Sequence, residues 1–431
     1  MLSGLLRVLL ALGLLALAWY GRDPHLLGMR PFIVPLLALV SGLGLFWVIR
    51  RPSGLARKAW VALLLLGLGT GLAQEALFQW HRAAVLDSAG ESAVQRLGQH
   101  FVLGYTDLDE VRPLAAQGLI GGIFITRRNV EGKTARQIAE EIGALQALRK
   151  RVGLPPLIVS TDQEGGIVSR LSPPLPLQPP LASLVTTHPG PDALQAAAHA
   201  YGREQGAALA ALGITLNFSP VLDLKVERPR DPLDLHSLIH LRALSADPDT
   251  VARVAQAYTL GLEEQGVQGT LKHFPGLGDV ASDTHHFSAS LDTPVAQLRD
   301  KDWRPFRQLM SQTRAYVMLG HVILSELDED YPVSLSRNVV QQVIRQEFAY
   351  QGVLITDDLT MAATYRYGIC AASLQALNAG VDLLLIAYDP EHYYEALHCL
   401  MRAQVDGRLD QALLAQSAGR LAARPLQGRV E

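Results

Sequence analysis

From about Gln95 to the end of the chain, short apolar runs alternate with stretches whose apolar positions recur at helical spacing. Eight runs read as strands: 100–105, 121–126, 156–162, 216–224, 269–273, 315–321, 352–357 and 382–387. Most are continuous apolar segments rather than alternating ones, as expected of parallel strands covered on both faces. Between them, Thr134 and Gln137 read as a capping box, followed by Ile138, Ile142 and Leu145 on one stripe. Val251, Val254, Ala255, Tyr258 and Leu262 repeat that spacing, as do Val339, Val340, Val343 and Ile344. This repeated strand–helix alternation predicts an α/β fold, a (β/α)8 TIM-type barrel, with a doubly wound open sheet as the alternative. In a barrel the chemistry gathers at the C-terminal strand ends.

The N-terminal pattern differs. Three apolar stretches, Leu2–Tyr20, Pro31–Ile49 and Ala59–Leu77, each approach the roughly 20 residues an α-helix needs to cross a bilayer. Their lack of a polar face argues against a buried bundle in a soluble protein. Arg7 interrupts the first, and its Val8–Ala18 core also has the form of a signal peptide with an Ala-x-Ala exit. The connector Arg50–Lys58 carries four cations and no acid, so the positive-inside rule places it in the cytoplasm. The N-terminus is then cytoplasmic, and everything after residue 80 lies on the periplasmic or extracellular side. The expected organisation is a membrane anchor of three transmembrane helices over 1–80, in contact with the lipid bilayer. A linker over 81–94 and a barrel over 95–425 follow.

At 431 residues the chain can hold two average domains or one large barrel with an appendage. A net charge of -3 offers no basic face for nucleic acid. Cys370 and Cys399 lie in apolar helical contexts and read as two buried thiols rather than a disulfide.

The predicted strand ends carry the candidate chemistry. The third ends in Thr161-Asp162-Gln163-Glu164-Gly165-Gly166, with Arg170 eight residues past Asp162. That acid and cation can grip a hydroxylated ligand or close the loop as a salt bridge. The fourth carries Asn217–Asp223, where Asp223 reads as a structural loop cap. The fifth delivers Lys272 and His273, then a Pro/Gly loop, then Asp283 and His285. An Asp two positions from a His can orient the imidazole for general acid–base work near neutral pH. Metal binding by His273, Asp283, His285 and His286 is the competing use, but no His-x-x-x-His or clustered-carboxylate pattern accompanies them. His321 ends the sixth strand, either lining a pocket or satisfied within the barrel. The seventh delivers Asp357, a carboxylate able to attack an electrophilic carbon, while Asp358 can begin the next helix.

Together these segments resemble glycoside hydrolase family 3, in its single-domain β-N-acetylglucosaminidase branch, over about residues 95–425. The resemblance rests on Asp162–Gly166 with Arg170, on Asn217–Asp223, on Lys272–Gly278 with Asp283-Thr284-His285, and on Thr356–Met361, in that order. It implies that Asp357 is the nucleophile of a covalent glycosyl-enzyme intermediate and that His285 is the acid/base, paired with Asp283. This departs from the two-carboxylate scheme of most retaining glycosidases. Asp162, Arg170, Lys272 and His273 would hold the sugar, and Arg242 matches the family's sugar-binding Arg. The chain departs from the family at Leu277, where His is common, and at Ile167, where Arg is common. The segment Lys225–Leu241 is longer than usual, and Ser288–Asp292 lacks the usual Leu-Pro. The implied activity is removal of terminal β-linked N-acetylglucosamine from a carbohydrate substrate, with no cofactor and no metal. Phosphorolysis, β-glucosidase action and an inactive glycan-binding protein are the alternatives.

Overall fold

A computed structural model of the chain describes residues 2–50, 54–226, 237–280, 283, 286 and 289–423. It divides into two compact units, Met1–Asp87 and Ser88–Glu431.

The first unit contains α1 (Leu2–Trp19), α2 (Arg30–Ile49) and α3 (Leu55–Asp87). Ala11, Leu14, Ala18, Ile33, Leu37 and Leu64 make its small core, while side chains such as Leu39, Leu43, Phe46 and Leu66 are exposed on its outside. Large exposed apolar side chains around a thin core are what a helix facing lipid presents. Among the described residues, two segments are long and apolar enough to cross a membrane, Pro24–Trp47 and Arg57–Asp87. Against the three expected membrane helices, two candidates are found among the described residues; the described apolar part of the first, Arg7–Trp19, is shorter. Residues 81–87, expected in a linker, continue α3.

The second unit is a barrel. Its strands are β1 (Phe101–Gly104), β2 (Gly122–Ile125), β3 (Ile158–Thr161), β4 (Leu216–Asn217), β5 (Thr270–Phe274), β6 (Tyr316–Leu319), β7 (Leu354–Asp358) and β8 (Leu383–Ile386). All pairings among them are parallel, and β1 pairs with β8. The gap between β4 and β5 is spanned by Asn217 N–H to Gln268 O (2.9 Å) and Thr270 N–H to Ser219 O (2.8 Å), so the sheet is nearly closed. The eight expected strands are thus all present. The fourth is shorter than the expected 216–224, because Pro220 has no N–H to give the ladder.

The barrel interior is filled. Val102, Phe124, Ile158, Leu216, Phe218, Met318, Ile355 and Leu385 form one buried cluster, with Phe124 and Phe218 stacked at 5.3 Å. A filled barrel leaves only its rims for ligands. At the N-terminal rim, buried Asp382 accepts hydrogen bonds from Arg345 Nη2 (2.8 Å), Arg420 Nε (2.9 Å) and Leu354 N–H (2.8 Å), which is a structural clamp.

The helices follow their local signals. Thr134 and Gln137 form the expected capping box at the start of Ala135–Arg151. Val251, Val254, Ala255, Tyr258 and Leu262 are buried along Pro248–Glu263. Val339, Val340, Val343 and Ile344 are buried too, on a π-helical turn over Val339–Glu347.

Cys370 and Cys399 are joined in a disulfide with a Cα–Cα distance of 5.5 Å, so the expectation of two free thiols is corrected. They sit on Ile369–Ala379 and His392–Val405, the helices that follow β7 and β8 and pack side by side. A spacing of 29 residues conceals this proximity, which only helix packing creates.

Candidate active site

The loop after β3 is built as a hairpin, Gln163–Gly165 against Val168–Ser169. Asn217 of β4 pins it, donating to Gln163 O (2.8 Å) and accepting from Gln163 N–H (2.9 Å). The Gln163 side chain accepts from Leu171 N–H and donates to Ser172 Oγ, tying down the far end of the loop. Two glycines permit the turn. Gly165 has φ 92°, and a Cβ there would meet Pro179 O at 2.7 Å; Gly166 has φ 62°, and its Cβ would lie 2.6 Å from Pro180 Cγ.

This hairpin aims two carboxylates at the rim, where they meet two cations. Lys272 Nζ donates to Asp162 Oδ1 at 2.6 Å and lies 2.7 Å from Glu164 Oε1. Arg242 grips Glu164 with two parallel hydrogen bonds, Nε to Oε2 (2.9 Å) and Nη2 to Oε1 (2.6 Å). Burial alone would raise the Glu164 carboxyl; attraction to Arg242 and then Lys272, with hydrogen bonds from both, outweighs it and holds the group at about 2. The same pairing pushes Arg242 up against the opposing effect of burial. Glu164 is thus the hinge of the cluster, a role the sequence left unassigned. Its signal was an acid two positions past a strand-end Asp.

Asp223 is the expected loop cap and something more. It accepts from Leu277 N–H (2.7 Å) and His273 N–H (3.2 Å), and its Oδ2 lies 2.7 Å from His273 Nδ1. That pairing keeps the proton on Nδ1 and leaves Nε2 for another partner. Arg170 stays outside this cluster. Its backbone N–H donates to Asp162 O (3.0 Å), but its side chain is exposed, so the loop-closing salt bridge to Asp162 is replaced by Lys272.

Across the rim, β7 presents Asp357, half-buried, with Oδ1 accepting from Asp358 N–H at 2.8 Å. Asp358 remains in the strand rather than opening a helix. It accepts from Thr360 N–H and Oγ1, Ala387 N–H and Tyr388 N–H, locking β7 to the end of β8. Burial raises its carboxyl despite those bonds. His321 is satisfied within the barrel, its Nδ1 2.7 Å from Ser334 Oγ and its Nε2 2.9 Å from Asp358 O.

Register sets the level of these groups. Leu319 of β6 pairs with Phe274 of β5 on one side and Thr356 of β7 on the other. Asp357 therefore lies one residue past that level, and His273 and Lys272 one and two residues before it, on the strands either side of β6. Two strand spacings separate them, about 10 Å. Asp283 is described and buried. His285 lies outside the described residues, as do Thr284 and residues 227–236 of the Lys225–Leu241 segment. A cavity on the β3–β4 side has Glu164 and Arg242 at its polar end and Ile167, Leu181, Leu241 and Leu244 along its apolar walls; Asp357 does not line it.

A further buried acid went unnoticed in the sequence. Asp302 precedes the helix Trp303–Gln312, and its Oδ2 has no hydrogen-bond partner among the described residues. Burial pushes its carboxyl up to about 6; Lys301 opposes this, and Asp279 and Asp223 add to it. A raised acid favours folding most below its ordinary value of 3.8 and loses that contribution as pH rises from 3.8 to about 6. Asp302→Asn is therefore expected to stabilise the barrel at pH 7.5 by about 2–3 kcal/mol and to flatten the profile between pH 4 and 6. Urea unfolding across that range checks it, and a less stable variant at pH 7.5 contradicts it.

Known proteins are similar to this chain. Residues 92–423 match the family described as Glycosyl hydrolase family 3 N terminal domain. A Beta-hexosaminidase of Nitrosomonas eutropha is 33% identical over 301 residues, 69% of this chain and 82% of the relative. One from Pseudomonas aeruginosa is 32% identical over 297 residues, covering 69% and 83%. Among solved structures, a glycoside hydrolase family 3 beta-N-acetylglucosaminidase from Paenibacillus sp. str. FPU-7 aligns with a TM-score of 0.70 at 32% identity over 77% of this chain. This chain spans 61% of that protein's length. The Beta-N-acetylhexosaminidase from Beutenbergia cavernae gives 0.69 at 28% identity, covering 78% of this chain and 98% of that one.

Proposed function

Because the chain belongs to glycoside hydrolase family 3, we propose that this glycoside hydrolase is a retaining, exo-acting β-N-acetylhexosaminidase that removes terminal β-linked N-acetylglucosamine from glycans or cell-wall fragments. The observation that carries this reading is the buried Asp162–Lys272–Glu164–Arg242 cluster on the same barrel rim at which β7 ends in Asp357. Asp162, Lys272, His273 and Arg242 would hold hydroxyl and N-acetyl groups, and the exposed Arg170 side chain would swing from the loop edge to join them when sugar binds. Asp357 would attack the anomeric carbon, breaking its bond to the leaving oxygen as His285 protonates that oxygen. Water would then attack the same carbon, giving its proton to His285 and releasing Asp357. Asp283 would orient the imidazole. The names of the relatives support the substrate class.

The barrel would be tethered to a membrane by residues 1–80, N-terminus in the cytoplasm and barrel on the periplasmic or extracellular side. Three passes, the odd number that puts the barrel outside, would require the shorter first helix to cross as well. The Arg50–Lys58 cations support this sidedness. So does the Cys370–Cys399 disulfide, a bond that persists in oxidising compartments.

The deciding experiment gives the purified chain aryl β-N-acetylglucosaminide and aryl β-glucoside, with and without phosphate. The expected result is cleavage of the first substrate preferred over the second, the free sugar as product, and no dependence on phosphate. Sugar 1-phosphate formed only when phosphate is present would identify a phosphorylase; preference for the glucoside would identify a glucosidase.

A further inference from the structure

The cations of the helical unit are divided between two environments. At the end where α1 finishes and α2 begins, Arg22 Nη2 lies 2.5 Å from Glu75 Oε2, Arg30 donates to Arg22 O (3.1 Å), and Asp23 pairs with His25. At the other end, α1 contributes Arg7, α2 contributes Trp47 with Arg50 just past its end, and α3 contributes Arg57 and Lys58. Arg7 and Arg57 both stack on the Trp47 indole, their guanidinium carbons 4.6 Å and 4.2 Å from its centroid. Arg50 stacks on Phe46 at 4.2 Å.

Two guanidiniums on one ring can be no farther apart than the sum of their distances to it, which is within a Debye length of about 10 Å. They repel. Residues 24–74 contain five Lys and Arg and no Asp or Glu, so this stretch of chain supplies no carboxylate to balance them. The unit's acids, Asp23, Glu75 and Asp87, belong to other parts of the helices, and the first two are engaged with His25 and Arg22. Two helices, α1 and α3, thus bring one guanidinium each onto a single indole supplied by α2. A planar, weakly hydrated guanidinium that is already oriented by stacking suits the bidentate grip of a phosphodiester. The platform lies near the helix end that the positive-inside rule assigns to the cytoplasmic interface, the level of the phosphate groups of anionic lipid.

We infer that Arg7 and Arg57, held apart and aimed by Trp47, form a binding site for the phosphodiester headgroup of an anionic phospholipid. This rests on the membrane reading above, and the test separates the two. The full chain is first challenged with alkaline carbonate in membranes, then reconstituted in mixed phosphatidylcholine and phosphatidylglycerol bilayers. After mild delipidation, the lipids retained per chain are counted. The expected result is carbonate-resistant association and phosphatidylglycerol enriched roughly tenfold over the bulk ratio. The R7Q/R57Q pair should return the ratio to bulk while leaving glycosidase turnover unchanged. Excess inorganic phosphate, the same oxygen chemistry without acyl chains, should leave the enrichment in place. An R22Q variant, altered at the opposite end, should keep it too. Carbonate-resistant protein with no enrichment, or with enrichment that survives R7Q/R57Q, overturns the headgroup site alone. Displacement by inorganic phosphate reassigns it to a free anion and overturns the lipid. Release by carbonate overturns the membrane reading and the site with it.

Discussion

Asp357→Asn is expected to lower kcat on an aryl β-N-acetylglucosaminide by at least about a thousandfold with little change in KM. The substitution removes the attacking charge and little else. Asparagine keeps a carbonyl oxygen where Asp357 Oδ1 accepts from Asp358 N–H, so the turn after β7 retains its bond. Asp358, which holds the turn through Thr360 and the end of β8 through Ala387 and Tyr388, is untouched. Stability should therefore stay within about 1 kcal/mol of the parent, and an intact thermal transition would show that lost turnover is lost chemistry. Full activity in a folded variant would mean that another group attacks the sugar, and the double-displacement scheme would fail.

Why Asp357 could be found in the sequence, and other members of the site could not, follows from how each is placed. Asp357, Lys272 and His273 are strand-end residues, and a strand end is announced by the apolar run before it. The barrel was legible for the same reason: each strand is a self-contained buried run, and closing eight of them needs no further instruction. The pairings are another matter. Nothing local says that Asp223 meets His273, fifty residues on, or that Glu164 meets Arg242, seventy-eight residues on. These depend on β3, β4 and β5 being neighbours in the barrel. Arg170 shows the opposite error: nearness in sequence to Asp162 suggested an ion pair, but the hairpin turns its side chain to solvent while Lys272 takes the carboxylate.

The N-terminal unit shows where hydropathy reaches its limit. Composition marked three apolar stretches, of which two are long enough among the described residues to be candidate spans. The disulfide was hidden by its context, since an apolar helical neighbourhood suits a buried thiol and a bridged one equally. Asp302 was hidden because an acid ahead of a helix reads as a cap, whereas here its side chain makes no cap hydrogen bond and sits buried.

The second large effect is expected at Glu164, which receives hydrogen bonds from Arg242 and sits against Lys272. Glu164→Gln keeps the shape of the side chain but removes the charge between two buried cations, leaving Asp162 as their remaining carboxylate within the cluster. Removing one partner of a buried ion pair typically costs about 3–5 kcal/mol. Loss of aim at Arg242 and Lys272 should also raise KM while kcat falls less, because these groups would hold the sugar rather than react with it. The pH dependence distinguishes this from generic damage. The Glu164 carboxyl sits at about 2 in the folded chain against an ordinary 4.5, so its contribution is fully present above 4.5 and is lost as pH falls from there toward 2. The stability gap between parent and Glu164→Gln should therefore be widest at neutral pH and narrow below about 4.5. Urea unfolding at pH 7 and pH 3 measures it. A gap that is the same at both values would mean that the carboxylate's charge is not what holds the two cations, and that Glu164 serves the hairpin through packing alone.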